Sequence, residues 1–167
     1  MNQHHPKDTH RAEERRPTLP VRSFREDPGG FRWSDTPVLA YKEDGAHFEG
    51  ITRQVLFGEA EDLVCQLRYF EIESGGHSTL EKHEHVHAVL ILRGRGQVLV
   101  GDAVHAVTPF DLVNVPPTTW HQFRADAQEV LGFLCLVPCD RDRPVRPDAE
   151  AADALRAHPV IGDFIRL

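Results

Sequence analysis

Four of the 11 histidines, His77, His83, His85 and His87, fall within 11 residues. Imidazole titrates near neutrality and is the commonest protein ligand for metals. In Glu81-Lys82-His83-Glu84-His85-Val86-His87, the residues Glu81, His83, His85 and His87 recur at every second position. Side chains of a regular strand alternate between faces. A regular strand here turns those four to one side and Lys82, Glu84 and Val86 to the other. Buried imidazoles and carboxylates need partners, and one metal ion satisfies several at once. A solvated polar face would not require the same residue type at successive positions. His121 follows Pro116-Pro117-Thr118-Thr119-Trp120. Such a turn, opening into a new strand, can return one more imidazole to the same cavity.

The elements that must position these groups read as β. Strands are expected over Ile51–Phe57, Leu63–Ile72, Leu80–Leu92, Gly96–Val100, Val104–Val107, Asp111–Val115 and Val130–Val137. Gly75-Gly76, Gly94, Gly96, Gly101-Asp102, Pro109 and Pro116-Pro117 mark turns between them. Many short strands with close turn signals suggest a sandwich or barrel. No long helical stripe supports a βαβ arrangement. After Pro138 the chain becomes charged and proline-rich, and residues Glu150–Ala157 read as a short helix started by Pro147-Asp148. Val160–Leu167 is expected to pack on the barrel.

Composition bounds the function. A chain of 167 residues supports one domain with a real core. With 19 Lys and Arg against 26 Asp and Glu, the formal net charge is −7. That disfavours general binding to nucleic acid or to an anionic membrane. No apolar run reaches the length of a membrane span. The N-terminus is polar and lacks the apolar core of a signal peptide. Cys65, Cys135 and Cys139 are too few for a disulfide framework and fit a reducing compartment, so a cytoplasmic location is expected. Residues 1–37 hold several prolines and mixed charges and read as a disordered arm, with His4, His5 and His10 as solvated tail residues. The barrel is expected over 38–139 and a C-terminal segment over 140–167.

The stretch from Gly76 to Gly94 resembles the first motif of the cupins, in which a His-x-His pair and a Glu stand between two glycines. Glu81 occupies the place of the first His, His83 that of the second and His87 that of the Glu. The second motif maps onto Phe110, Pro116, Thr118 and His121, with Phe110 and Thr118 in place of glycines. The resemblance covers about Val64 to Val137. It implies a single-domain, all-β jelly-roll barrel with a disordered N-terminal arm and a short C-terminal helix, which pairs as a homodimer. It also implies a divalent metal, Mn2+ first and Fe2+ or Ni2+ next, held by Glu81, His83, His87 and His121. The motif leaves His85 outside the ligand set as an acid, base or hydrogen-bond partner. Plain alternation instead places it inside, displacing Glu81.

The central segment from Tyr69-Phe70-Glu71 to Trp120-His121-Gln122-Phe123, with its tails, is similar to manganese cupins of methylthioadenosine salvage. The resemblance implies a substrate, 1-methylthioxylulose 5-phosphate, whose methylthio group passes to a thiol such as glutathione and leaves 1-deoxyxylulose 5-phosphate. His85 and Cys135 are then the catalytic candidates, Cys135 facing the metal cavity. Cys65 is expected in the core and Cys139 exposed. Tyr69 and Trp120 are expected to flank the cavity. Arg53, Lys42 and Arg93 are candidates for an anionic substrate group, since Arg grips phosphate with two parallel donors. His47, His77 and His105 are expected at the surface or in turns. A metal-dependent dioxygenase and a non-catalytic binding cupin are the alternative readings.

Overall fold

The computed structural model describes residues 19–42 and 45–167. A hairpin of β1 (Phe24–Asp27) and β2 (Gly30–Trp33) precedes the short β3 (Leu39–Ala40) and the long β4 (Glu49–Phe57). Then come β5 (Cys65–His77), β6 (His87–Gly94), β7 (Gly96–Val100), β8 (Ala103–Val107) and β9 (Leu112–Val115). β10 (His121–Ala125) and β11 (Leu131–Pro138) complete the strands, and the helix α1 (Ala149–Ala157) follows. The sheet order is β8-β7-β10-β5-β11-β6-β9, with β4 also on β5 and β3 on β4. Every pairing is antiparallel. β11 lies between β5 and β6, so the sheet curls, as a jelly roll requires.

The inner face carries Ile51, Phe70, Ile72, Val89, Ile91, Val98, Phe123, Phe133, Cys135 and Val137, all buried in one cluster. They alternate with outward residues along β5 and β11, and the Phe70, Phe123 and Phe133 rings stack at the centre. A second cluster of Leu80, Leu99, Ile161, Phe164 and Ile165 seats the C-terminal residues on the barrel. Gln122, fully buried, donates to the carbonyls of Ser78 and Arg166 and accepts from the Arg166 N–H. Asp148 caps α1 by accepting from the Ala151 N–H at 2.9 Å.

Three expectations are corrected. The arm expected over 1–37 includes the β1–β2 hairpin, which covers the outer face of β4 and β5. Phe31 stacks on Tyr69 at 5.9 Å, and Trp33 meets the same ring edge-on at 5.2 Å. Gln54 donates to the Phe31 carbonyl and the Phe31 N–H donates to Glu71. Aromatic burial supplies the energy that the proline-rich composition concealed. His4, His5 and His10 lie outside the described residues. Gly75-Gly76 is not a turn but an irregularity inside β5, since the register jumps between the Glu49–His77 and Ile51–Ile72 pairs. The strand expected from Leu80 is absent, and 78–86 runs as a loop into β6.

Backbone strain gives a paired prediction. Gly94 has φ +69°, and a Cβ there would stand 1.7 Å from the Val130 carbonyl oxygen. Gly94→Ala should destabilise the protein by about 2–4 kcal/mol. Phe110 stands at a motif glycine position with φ 76° and is 79% exposed. Phe110→Gly should stabilise by about 0.5–1 kcal/mol, because relieved strain exceeds the added chain entropy. Urea unfolding of both variants reads the two opposite signs.

Candidate metal centre

The loop between β5 and β6 is held from two sides. Glu81 and His121 exchange backbone hydrogen bonds of 3.2 and 3.0 Å, and Lys82 and Val145 exchange bonds of 3.0 and 2.8 Å. The Thr118 N–H donates to the His83 carbonyl at 2.6 Å. These contacts come from the turn before β10 and from the C-terminal segment. The loop is therefore irregular without being loose, and strict alternation of its side chains fails.

His83, His87 and His121 nevertheless converge, each offering a ring nitrogen within 4.8 Å of the other two. His83 Nδ1 lies 2.7 Å from the His85 carbonyl, and His121 Nδ1 lies 3.0 Å from the Thr119 carbonyl. A carbonyl can only accept, so both Nδ1 atoms carry the proton and both Nε2 atoms keep a free lone pair. His83 Nε2 is buried and has no hydrogen-bond partner. Burial, then the neighbouring His121 and His85, lowers the His83 pKa to about 4. Burial also pushes His87 and His121 below the ordinary range. Neutral rings whose nitrogens converge, that of His83 without any partner, fit a divalent cation.

The remaining candidates separate. Glu81 is buried and lines the cavity with His87, His121, Tyr41 and Cys135. Its carboxylate, however, accepts from Lys42 Nζ at 2.6 Å and lies outside the clustered nitrogens. Lys42 is thereby occupied with Glu81 and Thr79. His85 stacks on His83 with ring centroids 3.7 Å apart. Its Nδ1–H donates to Asp142 at 2.6 Å, and its Nε2 lies 3.2 Å from His87 Nε2. That hydrogen bond holds the Asp142 carboxyl down at about 2. The sequence pattern offered no signal for Asp142, which lies 57 residues from His85.

Cys135 is buried and faces the cavity, with its Sγ 3.3 Å from Arg68 Nη2. Burial pushes its thiol pKa up, and Arg68 opposes the shift. Tyr69 does not flank the cavity. It points to the opposite face of β5, donates to Glu71 at 2.6 Å and packs under the hairpin, because neighbours of the inward Phe70 must face outward. Trp120 also lies outside the cavity, beneath Lys82 and against the C-terminal cluster. Arg93 sits on the outer face with Glu71 and Phe31. Cys65 and Cys139 are both half-buried rather than core and exposed. His77, expected at the surface, is buried at the end of β5 and donates to the Ser78 carbonyl.

The cavity among these groups is small, about 30 Å³. A cleft of about 940 Å³ lies elsewhere, between Arg22, Thr36 and Gly58–Glu61. The only cluster of three metal-competent groups found among the described residues has two members, His87 and His121, in the wall of the small cavity, so chemistry rather than size identifies the site.

Two predictions follow from this geometry. His121→Ala should lower the metal content of the purified protein about 10-fold or more, read by elemental analysis. In metal-free protein the three rings stay neutral when folded but take up protons near pH 6.5 when unfolded. The unfolded chain then binds more protons, so stability rises with pH in that window. The melting temperature of metal-free protein should fall between about pH 7 and about pH 5. Asp142 titrates lower and adds nothing there. A flat profile would contradict the buried neutral rings.

A family model described as Cupin domain matches residues 68–137. A curated 1-methylthio-D-xylulose 5-phosphate methylsulfurylase from Rhodospirillum rubrum is 51% identical over 145 residues, spanning 86% of this chain and 92% of that protein. The crystal structure of a cupin 2 conserved barrel domain protein from Rhodopseudomonas palustris superposes with a TM-score of 0.80 at 49% identity. The match covers 88% of this chain and 99% of that one. A cupin-2 domain protein from R. rubrum superposes with a TM-score of 0.76 at 50% identity, covering 89% and 96%. With half its residues shared across nearly the full length of a relative, and with the curled sheet and the three converging imidazoles in place, the chain belongs to the cupin family.

Proposed function

We propose that the protein removes the methylthio group from 1-methylthio-D-xylulose 5-phosphate, passes it to a thiol such as glutathione and leaves 1-deoxy-D-xylulose 5-phosphate. The observation that carries this reading is one cavity lined by a buried thiol, Cys135, and two of the three clustered imidazoles, His87 and His121. It occurs in a chain 51% identical to a curated enzyme of that name. His83, His87 and His121 would hold the divalent metal, Mn2+ first, with Glu81 as a further oxygen donor. Such an ion supplies Lewis-acid stabilisation of negative charge on substrate oxygens.

The chain's own groups account for the electrons and the proton. The Cys135 thiolate attacks the methylthio sulfur and forms a methyl disulfide. The carbon–sulfur pair passes into the substrate as an enolate, and a proton delivered to carbon 1 completes the deoxy product. Carbon 1 is reduced and the thiol is oxidised, so no outside oxidant is needed. The second thiol then takes the methylthio group from Cys135 by thiol–disulfide exchange. Arg68 supports the thiolate against desolvation. His85, hydrogen-bonded to Asp142 and beside His87, would move the proton.

The test is incubation of the metal-loaded protein with the methylthio ketose phosphate and glutathione. The deoxyketose phosphate and the methyl glutathionyl disulfide should appear together. Substrate-dependent oxygen uptake with neither product would overturn the reading. With glutathione omitted, Cys135 should gain the mass of one methylthio group. Cys135→Ser should lose transfer while keeping its metal. Full transfer by that variant would assign the attack to the external thiol.

A further inference from the structure

Three guanidinium groups lie in one region of the barrel, and one of them, Arg68, donates to Cys135. Arg53 on β4 and Arg68 on β5 both face the barrel interior, since Arg53 pairs with the inward Phe70 and Arg68 pairs across β11 with Cys135. Arg141 approaches from the chain after β11, where it donates to the carbonyls of Pro138 and Cys139 and to Gln66. Arg68 is 8% exposed, and its Nε is buried without a partner. The Nε of Arg53 is also buried and unpartnered. Among the described residues, none of the three pairs with a carboxylate. Arg93 shows the contrast, with Glu71 beside it on the outer face.

Guanidinium remains charged in proteins. Bringing such charges together in a half-buried place is unfavourable unless an anion joins them. Burial and mutual repulsion lower the pKa of Arg53 and of Arg141. Two planar forks on neighbouring strands, each with an unused inward donor, suit a tetrahedral dianion. The thiol and the imidazoles stand in the same interior, since Cys135, His87 and His121 line one cavity and Arg68 donates to Cys135.

We propose that Arg53 and Arg68, backed by Arg141, form a subsite for a phosphate monoester and fix which end of the substrate faces the histidines. Naming the ester as that of a ketose phosphate rests on the proposed function. The anion preference rests on the arginines alone. Arg68 thus has two tasks, to steady the Cys135 thiolate and to hold the phosphate.

Calorimetric titration of the metal-loaded protein with D-xylulose 5-phosphate, D-xylulose, inorganic phosphate and sulfate tests the subsite. The wild type should prefer the ester to the free sugar by about 100-fold, with inorganic phosphate competing better than sulfate. Arg53→Met and Arg68→Met should each lose about 10-fold or more of that preference, with binding of the free sugar unchanged. Phosphate should raise the melting temperature of the wild type and not of the variants. If Arg68→Met does not fold, Arg68→Lys keeps the charge, removes the fork and should lose part of the preference. Cys135→Ser should keep the whole preference, and its loss there would leave Arg68 as a partner of the thiol only. Unchanged preference in folded Arg53 and Arg68 variants would overturn the subsite even if methylthio transfer is observed. An arginine-dependent phosphate preference in a protein that transfers no methylthio group would keep the subsite and overturn the reaction.

Discussion

Three imidazoles must stay neutral inside the barrel, with a ring nitrogen of each gathered toward a common point, and the surrounding chain is arranged around that requirement. Water would satisfy the lone pairs cheaply, and burial removes it. Two of the rings are therefore fixed from behind by backbone carbonyls, those of His85 and Thr119. Both carbonyls belong to segments with no regular pairing, where oxygens can turn toward a ring. A continuous strand would have committed them to a neighbouring strand. The irregular 78–86 loop is in this sense the condition for the cluster.

The same economy explains the outer layers. The hairpin covers Tyr69 and Glu71 on the outer side of β5, while Arg68, Phe70 and Ile72 face the barrel interior. The C-terminal residues cover Leu80 and Leu99 and fix Gln122, one residue beyond His121. Each layer removes an alternative position for a strand that carries a site residue.

Much of this was legible in the residues. The spacing of His83, His87 and His121 indicated the cluster, because motif intervals survive a change from strand to loop. The face of each side chain did not survive it. Alternation grouped Glu81 and His85 with the other two, yet Glu81 turned to Lys42 and His85 to Asp142. Tyr69 and Trp120 were misplaced for a related reason. Proximity in sequence to Phe70 and His121 carries the opposite face, not the same one. The hairpin was hidden because Phe24, Phe31 and Trp33 sit among prolines, glycines and charges, where composition averages away three rings. Arg68 and Arg141 were silent, since no local pattern separates an inward arginine from a solvated one.

The bonds between Asp142 and His85, and between Val145 and Lys82, join positions about 60 residues apart. During synthesis the histidine loop emerges well before the segment that stitches it down. The barrel strands through β11 can pair first, and the cluster gains its last supports only when the chain past 145 is free of the ribosome. Completion of the histidine cluster is thus a late event in the life of each molecule, and a chain shortened before Asp142 could keep its barrel while losing the order of its centre.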